Sequence, residues 1–465
     1  MKIIIFGTGV VYRRYATILR AQCDILAFID NNEHINQGET YIDGYRVCKP
    51  KEIANFEYDK VVIASTYMAE MHQQLLSLGV SEDKIISSER LVSFFNRGQI
   101  EEISARKNDI FLKNKIIIIT YSLDYDGGSM AAIYAAYALN MLGFDVTIGA
   151  PRIEQKIRNK LYSDGISQVI MPGVFYPGEY EKKYLLKYQI VIVNVYQNLP
   201  ILTSIAKNIK CIWWIHECKS LIGQYYSEYQ NLNMDSLKYV DIYAVSNVAK
   251  RDLLDYYPRL NIDILPCGIP DLFIKQKKTA DHIVFAIIGA VSPIKGQDIM
   301  IDAIKIFNKA SYIKNTAQFV FIGDVKNTSF SRKVKAESKS IDNVNFIGKL
   351  SRSQMIEQYN NIDVVVCSSR EETLSLVIVE GMMLGKICIA PDKAGVSDYM
   401  THGVDGFVYT AGDVEELANI LISVAKNYRY MTDIRKNARK NYLKNFSMDC
   451  FANKLEEVIS KNLRI

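Results

Sequence analysis

Short apolar runs of strand length recur along the whole chain, and stretches of helix length separate most of them. The first run, KIIIF, is followed by DILAFI and KVVIAS, and later runs include KIIIIT, IVIVNV, IVFAIIG and VDVVVCSS. Runs this apolar are typical of strands covered on both faces, and their alternation with helices implies parallel sheets. The sequence therefore predicts an α/β protein with doubly wound sheets.

The spacing of these runs divides the chain into four parts. We expect a small domain over residues 1–95, a charged linker over 96–114, a second domain over 115–275 and a third over 276–465. A length of 465 residues agrees with this division, because a domain commonly has about 150 residues.

Composition excludes several classes of protein. A net charge of +5 without a dense run of Lys and Arg argues against a nucleic-acid partner. The positive surplus suits phosphate-bearing ligands or an anionic membrane surface, although a mildly basic solvated surface explains it more simply. The 8 cysteines are scattered and are expected to be reduced core residues. No apolar stretch approaches the roughly 18 residues that span a bilayer, so we expect a cytoplasmic protein, at most peripheral to the inner face of the membrane.

Two glutamates, Glu372 and Glu380, occur in SSREETLSLVIVEGMML, between a strand and an apolar helix. A carboxylate accepts hydrogen bonds from two hydroxyls at once, which suits the sugar rings of a nucleotide sugar. At the start of the helix, the backbone N–H groups of Leu376 and Val377 are candidates to face phosphates. The alternative for both glutamates is a solvated surface charge, which the apolar surroundings of Glu380 disfavour.

A second loop follows the strand that ends at Gly289, where IIGAVSPIKGQ brings in Lys295 and Gly296. A lysine here would supply a mobile positive charge to an anionic group such as a phosphate. The alternative is an ordinary loop lysine.

The middle of the chain contributes two further candidates. Gly127 and Gly128 precede a long helix and would allow close approach of a phosphate or sugar, although a strand-to-helix turn also uses glycine without a ligand. His216, in WWIHE, ends a strand at the edge where ligands gather in open α/β sheets, with a structural role as the alternative. Trp213 and Trp214 are expected to pack in the core or along an acceptor cleft.

From about Lys115 to Ile465 the chain resembles the retaining glycosyltransferases of family 4. The resemblance rests on the glutamate pair, the lysine loop, WWIHE and the smaller landmarks AVSNVAKRDL, ILPCGIP and AGVSDYM, all in the family's order. The chain departs from the family at Ala290, where an arginine is usual, and at Asp398, where a glutamate is more usual. The resemblance implies the GT-B architecture, in which two facing Rossmann-like domains form the active cleft, here preceded by a smaller Rossmann-like domain.

The resemblance also implies an activity. A sugar would pass from a nucleoside diphosphate sugar to a hydroxyl of a glycan or lipid-linked acceptor, with retention at the anomeric carbon and without a metal or other cofactor. Surface polysaccharide or glycolipid synthesis would be the setting. The residues implied in catalysis are His216, Lys295 and Glu372, and those implied in donor binding are Gly128, Gly289, Lys295, Gly296, Leu376, Val377 and Glu380.

The first domain carries half of a dinucleotide-binding fingerprint, with Gly7 and Gly9 after the first strand and Asp30 after the second. Tyr12 stands in place of the third glycine. The domain resembles the nucleotide-sugar-binding modules of some sugar acyltransferases, which include an element similar to GYRVCKP. We therefore predict a nucleotide site at Gly7, Gly9 and Asp30, while a role in packing or oligomer formation stays equally open.

Two rival functions remain at this point. An NAD-dependent sugar-modifying oxidoreductase explains only the first quarter of the chain. A non-catalytic scaffold that binds nucleotide sugars is consistent with Ala290, although the glutamates and Lys295 weigh against it.

Overall fold

Three separate sheets, of six, eight and six strands, organise the protein. The α/β class predicted from the apolar runs is confirmed. The expected domain boundary near residue 275 lies outside the described residues. The structure, a computed structural model, describes residues 1–31, 40–65, 67–105, 114–272, 282–310, 316–326 and 328–463.

The first sheet is built by the start of the chain. Its strands are β1 Lys2–Phe6, β2 Asp24–Ile29, β3 Thr40–Ile42, β4 Tyr45–Cys48, β5 Lys60–Ile63 and β6 Ile85–Ser87, and its helices are α1 Val10–Gln22, α2 Met68–Ser77 and α3 Ser88–Phe95. The spatial order is β3-β4-β2-β1-β5-β6, and only β3 and β4 pair antiparallel among these strands. Their hairpin turns at Asp43 and Gly44, both at positive φ (51° and 85°), which is the conformation a tight Asp-Gly turn requires.

The second sheet has the order β14-β13-β12-β11-β8-β9-β10-β7. Its strands are β7 Glu101–Ile103, β8 Lys115–Ile119, β9 Asp145–Ala150, β10 Ser167–Ile170, β11 Ile190–Asn194, β12 Lys210–Ile215, β13 Val240–Ala244 and β14 Ile262–Ile264, and its helices are α4 Gly127–Met141, α5 Gln155–Ser163, α6 Glu179–Leu185, α7 Leu199–Ile205, α8 Lys219–Tyr226 and α9 Asn247–Leu254. All pairs are parallel except β7 with β10. Part of the segment expected to link the first two domains, residues 96–114, thus forms an edge strand of the second sheet.

The third sheet is parallel throughout, in the order β17-β16-β15-β18-β19-β20. Its strands are β15 Ile283–Ile288, β16 Ala317–Ile322, β17 Val344–Gly348, β18 Val364–Val366, β19 Ile387–Pro391 and β20 Phe407–Tyr409, and its helices are α10 Gln297–Lys309, α11 Ser329–Ser338, α12 Arg352–Gln358, α13 Leu376–Met383, α14 Val414–Asn427, α15 Thr432–Asn445 and α16 Met448–Leu463. Parallel strands direct all their carboxyl ends to one edge, so the loops after β15, β16, β17 and β18 lie together.

The apolar runs form the cores as their composition predicts. In β8, the four residues Ile116 to Ile119 are all 0% exposed, since helices cover both faces of the sheet. Trp213 and Trp214 in β12 are also buried, which confirms the expected packing role. All eight cysteines are free and five of them are buried. Among the described residues, no helix is both long and apolar enough to cross a bilayer.

Helix α16 returns from the third sheet and packs against the second. The ring of Phe451 stacks on Trp214 with 5.6 Å between centroids. Gly268, just before the third sheet, leaves room for this ring, because a Cβ there would lie 2.4 Å from the Cβ of Phe451. The backbone of Ile269 donates to the carbonyl of Phe446 at 2.9 Å. The end of the chain is thereby fastened to the second sheet.

The close packing of Phe451 on Gly268 predicts that a methyl group added at Gly268 destabilises the protein. Gly268→Ala should lower the free energy of unfolding by about 1–3 kcal/mol, because the added Cβ forces Phe451 off Trp214. Urea unfolding followed by tryptophan fluorescence measures the change. Gly127→Ala is the matched control, since a Cβ at Gly127 meets no atom within 4 Å. Equal stability of the two variants would show that Phe451 is not held as described.

Candidate active site

An ion pair joins two loops at the carboxyl edge of the third sheet. Lys295 Nζ, after β15, lies 2.5 Å from Glu372 Oε2, after β18, and Ser369 Oγ donates to the same oxygen at 3.4 Å. The side chains of Lys295 and Glu372 are 35% and 14% exposed, so a ligand can reach both. Burial alone would lower the pKa of Lys295, but the charge of Glu372 outweighs it and the pKa is raised. The lysine therefore carries its positive charge at neutral pH.

Glycines bring the lysine loop close to the end of β18. Gly296 has φ of 61°, and a Cβ there would lie 2.1 Å from the carbonyl oxygen of Ser368. Gly289 has φ of 150°, which also favours glycine. Ser368 Oγ donates to the carbonyl of Lys295 at 3.0 Å. These contacts hold the backbone of Lys295 close to the end of β18.

The loop after β18 also reaches across to the second sheet. Ser220 Oγ donates to Glu371 Oε2 at 2.6 Å, and Thr373 Oγ1 donates to the carbonyl of His216 at 2.7 Å. Ser246, the N-cap of α9, donates to the carbonyl of Thr373. The structure thus brings His216 to the same loop as Glu372.

His216 and Glu217 follow β12 and are both largely enclosed. The His216 ring meets Trp214 edge to face at 4.3 Å between centroids, and burial lowers the pKa of His216 to about 3. Glu217 Oε2 accepts from the backbone N–H groups of Tyr196 at 3.0 Å and His216 at 3.1 Å. Burial raises the pKa of Glu217 to about 7 despite these bonds. A neutral imidazole and a carboxyl group that titrates near neutrality therefore lie next to each other.

Gly128 lies in the first turn of α4, after the carboxyl end of β8 in the second sheet. Asn194 Nδ2 donates to its carbonyl at 3.0 Å, and a Cβ on Gly128 would lie 3.1 Å from Val195 Cγ1. Val195 precedes Tyr196, whose N–H binds Glu217. Gly128 is thus adjacent to the Glu217 network.

Glu380, in the second turn of α13, has two partners that sequence reasoning missed. Arg352 Nη1 donates to Oε1 and the Tyr359 hydroxyl donates to Oε2, each at 2.5 Å. Glu380 is 8% exposed, which excludes a solvated surface charge for it. The sequence carried one indication of Arg352, because Ser351 and Gln354 form a capping box that starts α12 just after β17.

The start of α13 lies between the two glutamates. Ser375, its N-cap, has φ of 72°. Leu376 and Val377 are the first two helical residues, and their N–H groups have no acceptor within the helix. The helix dipole makes this end electropositive.

The three residues predicted for the nucleotide site of the first domain lie together on the first sheet. They are separate from the Lys295–Glu372 pair, which lies on the third sheet. The backbone N–H and the hydroxyl of Thr8, between Gly7 and Gly9, donate to Asp30 Oδ2 at 3.1 Å and 2.6 Å. Gly7 has φ of 106°, and a Cβ there would lie 2.8 Å from the carbonyl of Ala64. A nucleotide site at this edge stays a prediction.

Comparison with known families identifies part of the chain. Residues 269–441 match the family model described as Glycosyl transferases group 1. The chain carries a glycosyltransferase group 1 domain. Residues 1–86 match a second family model, described as C2185-like, N-terminal.

Solved structures of glycosyltransferases share the fold of most of the chain. The crystal structure of Anabaena HepE in complex with UDP and glucose has a TM-score of 0.59 and 16% identity, and it covers 75% of this chain and 100% of that chain. A glycosyltransferase from Rickettsia africae has a TM-score of 0.60 and 18% identity, with 76% of this chain and 100% of that chain covered. The fold is therefore GT-B, as the family resemblance implied.

Curated relatives match over shorter regions of the chain. An uncharacterized glycosyltransferase of Methanocaldococcus jannaschii is 24% identical over 236 residues, covering 50% of this chain and 60% of that protein. The lipopolysaccharide 1,2-N-acetylglucosaminetransferase of Salmonella typhimurium is 28% identical over 135 residues, covering 27% of this chain and 35% of that protein. The chain spans about a third to three fifths of the length of these relatives.

The raised pKa of Glu217 predicts a pH dependence of stability. Because its pKa of about 7 exceeds the ordinary 4.5, the fold favours the protonated form. This contribution is fully present below about pH 4.5 and is lost as the pH rises through about 7. The wild type should therefore lose up to about 3 kcal/mol of unfolding free energy relative to Glu217→Gln between about pH 4.5 and pH 8.

Urea unfolding of both proteins across this pH range measures the difference between their free energies of unfolding. Both proteins contain His216, so its contribution cancels in this difference. Glu179→Gln serves as a control, since the Glu179 side chain is 88% exposed. Parallel pH profiles of the wild type and Glu217→Gln would contradict a carboxyl group held protonated by burial.

Proposed function

We propose that the protein is a retaining glycosyltransferase of family 4 that moves a sugar from a nucleoside diphosphate sugar to a hydroxyl acceptor. The observation that carries this proposal is the Lys295–Glu372 pair, which lies within the glycosyltransferase group 1 domain and beside His216 of the facing sheet. A positive charge, a carboxylate and a neutral imidazole at one cleft suit a sugar joined to a diphosphate.

In this proposal, binding of the donor breaks the ion pair between Lys295 and Glu372, and each side chain then contacts the donor instead. Lys295 leaves Glu372 and binds a phosphate oxygen, and Glu372 accepts hydrogen bonds from sugar hydroxyls. The N–H groups of Leu376 and Val377 face the diphosphate at the positive end of α13. Glu380 accepts the ribose hydroxyls.

The glycines and His216 complete the proposed donor site. Gly128, Gly289 and Gly296 keep the backbone near the phosphates and the sugar free of side chains, so the ligand can approach closely. Because its pKa is about 3, His216 is neutral near pH 7. In this proposal the neutral imidazole orients the sugar.

Arg352 is proposed to supply the positive charge that Ala290 cannot. Its guanidinium already lies 2.5 Å from Glu380 at the carboxyl edge of the third sheet. Arg370, also near the lysine loop, is less suited because Asp298 holds it through two hydrogen bonds, at 2.9 Å and 2.7 Å. Two side-chain cations and the helix end would make a metal ion unnecessary.

The proposed reaction proceeds on one face of the sugar. The acceptor oxygen forms a bond to the anomeric carbon as the bond from that carbon to the diphosphate oxygen breaks. The acceptor proton passes to the departing phosphate oxygen, and Lys295 stabilises the negative charge that develops there. Attack from the face that the diphosphate leaves retains the anomeric configuration.

The remaining parts of the proposal concern the setting. Residues 115–275 would form the acceptor-side domain and residues 276–465 the donor domain, with residues 1–95 as a further domain that carries a nucleotide site at Gly7, Gly9 and Asp30. The acceptor would be a glycan or a lipid-linked sugar in surface polysaccharide or glycolipid synthesis, reached from the cytoplasm at the inner face of the membrane. The Anabaena neighbour binds UDP and glucose, so UDP-glucose is the first donor to test.

The test of this proposal is donor turnover against a panel of nucleoside diphosphate sugars, with membrane extract as acceptor. Release of one nucleoside diphosphate is expected from the wild type. Lys295→Ala and Glu380→Ala should each lower the rate by at least about a hundredfold, because each removes a contact to the donor.

Lys305→Ala is the matched control for the loss of a paired lysine. Lys305 binds Asp302 and Glu337 at the surface of α10 and should be dispensable. Tight binding of a sugar nucleotide without turnover would favour the scaffold function instead. Unchanged turnover in Lys295→Ala would overturn the proposed role of the ion pair.

A further inference from the structure

The carboxyl edges of all three sheets meet at one cavity of about 270 Å³. Val10 follows β1 and Ser65 follows β5 of the first sheet, Arg152 and Gln197 follow β9 and β11 of the second, and Lys326 follows β16 of the third. Ligands of open parallel sheets bind at this edge. The volume is close to the lower end of the roughly 300 to 1,000 Å³ of small-molecule sites, which suits a single sugar residue.

Positive side chains dominate the lining. Arg14, Arg90, Arg152 and Lys326 face the cavity, against the one carboxylate of Glu89 among the described lining residues. Burial raises the pKa of Glu89, so the fold favours the protonated form of this carboxyl group. Arg90 is balanced by Glu228 and Arg152 by Asp124, each 3.6 Å away, but Arg14 and Lys326 still leave the lining positive, which favours a ligand with an anionic group.

Aromatic rings and an amide complete the lining. Tyr15, Tyr121, Tyr225 and Tyr229 contribute rings, and Tyr225 stacks on Tyr229 with 5.8 Å between centroids. The apolar faces of sugar rings pack on aromatic rings, and phenol hydroxyls bind sugar hydroxyls. Gln197 is 9% exposed, and its Oε1 has no hydrogen-bond partner in the described part of the chain. A sugar hydroxyl could satisfy this oxygen.

On the second sheet, residues that line the cavity lie next to residues of the candidate active site. Tyr121 lies beside Gly128, since a Cβ on Gly128 would be 3.4 Å from its ring. Gln197 directly follows Tyr196, whose N–H binds Glu217. The donor residues Lys295 and Glu372 lie on the third sheet, which contributes only Lys326 to the described lining. The cavity therefore lies beside the part of the second sheet that contains Gly128 and the Glu217 network.

We propose that this cavity binds an anionic sugar residue of the acceptor, and that the first sheet supplies Arg14 and Tyr15 to the acceptor site. The inference rests on the proposed transferase function. The anionic group is a phosphate or a carboxylate, which arginine binds through paired hydrogen bonds. The first domain then serves as part of the acceptor site and selects charged acceptors.

Two measurements test this proposal with the full-length protein. Calorimetric titration should show that glucose 6-phosphate or glucuronate binds at least about tenfold more tightly than glucose, and the stronger of the two identifies the anionic group. Arg14→Gln and Arg152→Gln should each weaken that binding by about tenfold or more. The control is Arg13→Gln, which removes the same charge from an exposed residue of α1 outside the cavity lining.

The second measurement is the ratio of sugar transfer to donor hydrolysis, with membrane extract as acceptor. This ratio should fall about tenfold in Arg14→Gln and Arg152→Gln and stay at the wild-type value in Arg13→Gln. A wild type that neither transfers nor hydrolyses any donor would refute the transferase itself. Active wild type with an unchanged ratio in both variants, or equal binding of glucose and the charged sugars, would overturn the acceptor proposal alone.

Discussion

Three consecutive residues after β18 anchor the candidate site to three different elements. Glu371 holds Ser220 of α8, Glu372 holds Lys295 of the loop after β15, and Thr373 holds the backbone at the end of β12. One short loop therefore connects the second sheet to the third and also holds the ion pair with Lys295. The chemistry proposed for the cleft depends on this loop staying ordered.

The surrounding structure holds the loop in place with contacts that tolerate little change. A Cβ at Gly296 would collide with the carbonyl of Ser368, and a Cβ at Gly395 would lie 1.8 Å from the carbonyl of Thr373. Helix α16 packs on the second sheet and adds a second connection between the two halves of the cleft. Such a framework suits the proposed donor binding, in which a diphosphate at Lys295 would need only to separate the lysine from Glu372.

The sequence predicted the parts of this structure that depend on local pattern. Apolar runs identified the strands, the glycine that follows β15 marked the loop that contains Lys295, and the pair Glu372 and Glu380 marked the loop after β18. Sequence reasoning missed Arg352 and Tyr359, because their pairing with Glu380 arises only when α12 and α13 fold against each other. The pKa values of His216 and Glu217 also depend on burial by distant segments, which spacing along the chain does not reveal.

Nucleoside diphosphate binding at Lys295 tests the central claim most directly. Calorimetric titration of UDP and other nucleoside diphosphates should show binding of at least one of them to the wild type. Lys295→Met should bind it at least about tenfold more weakly, because a charge-assisted contact is lost, whereas Lys305→Met should match the wild type. Binding of no nucleoside diphosphate, or equal affinity in the wild type and Lys295→Met, would contradict the account.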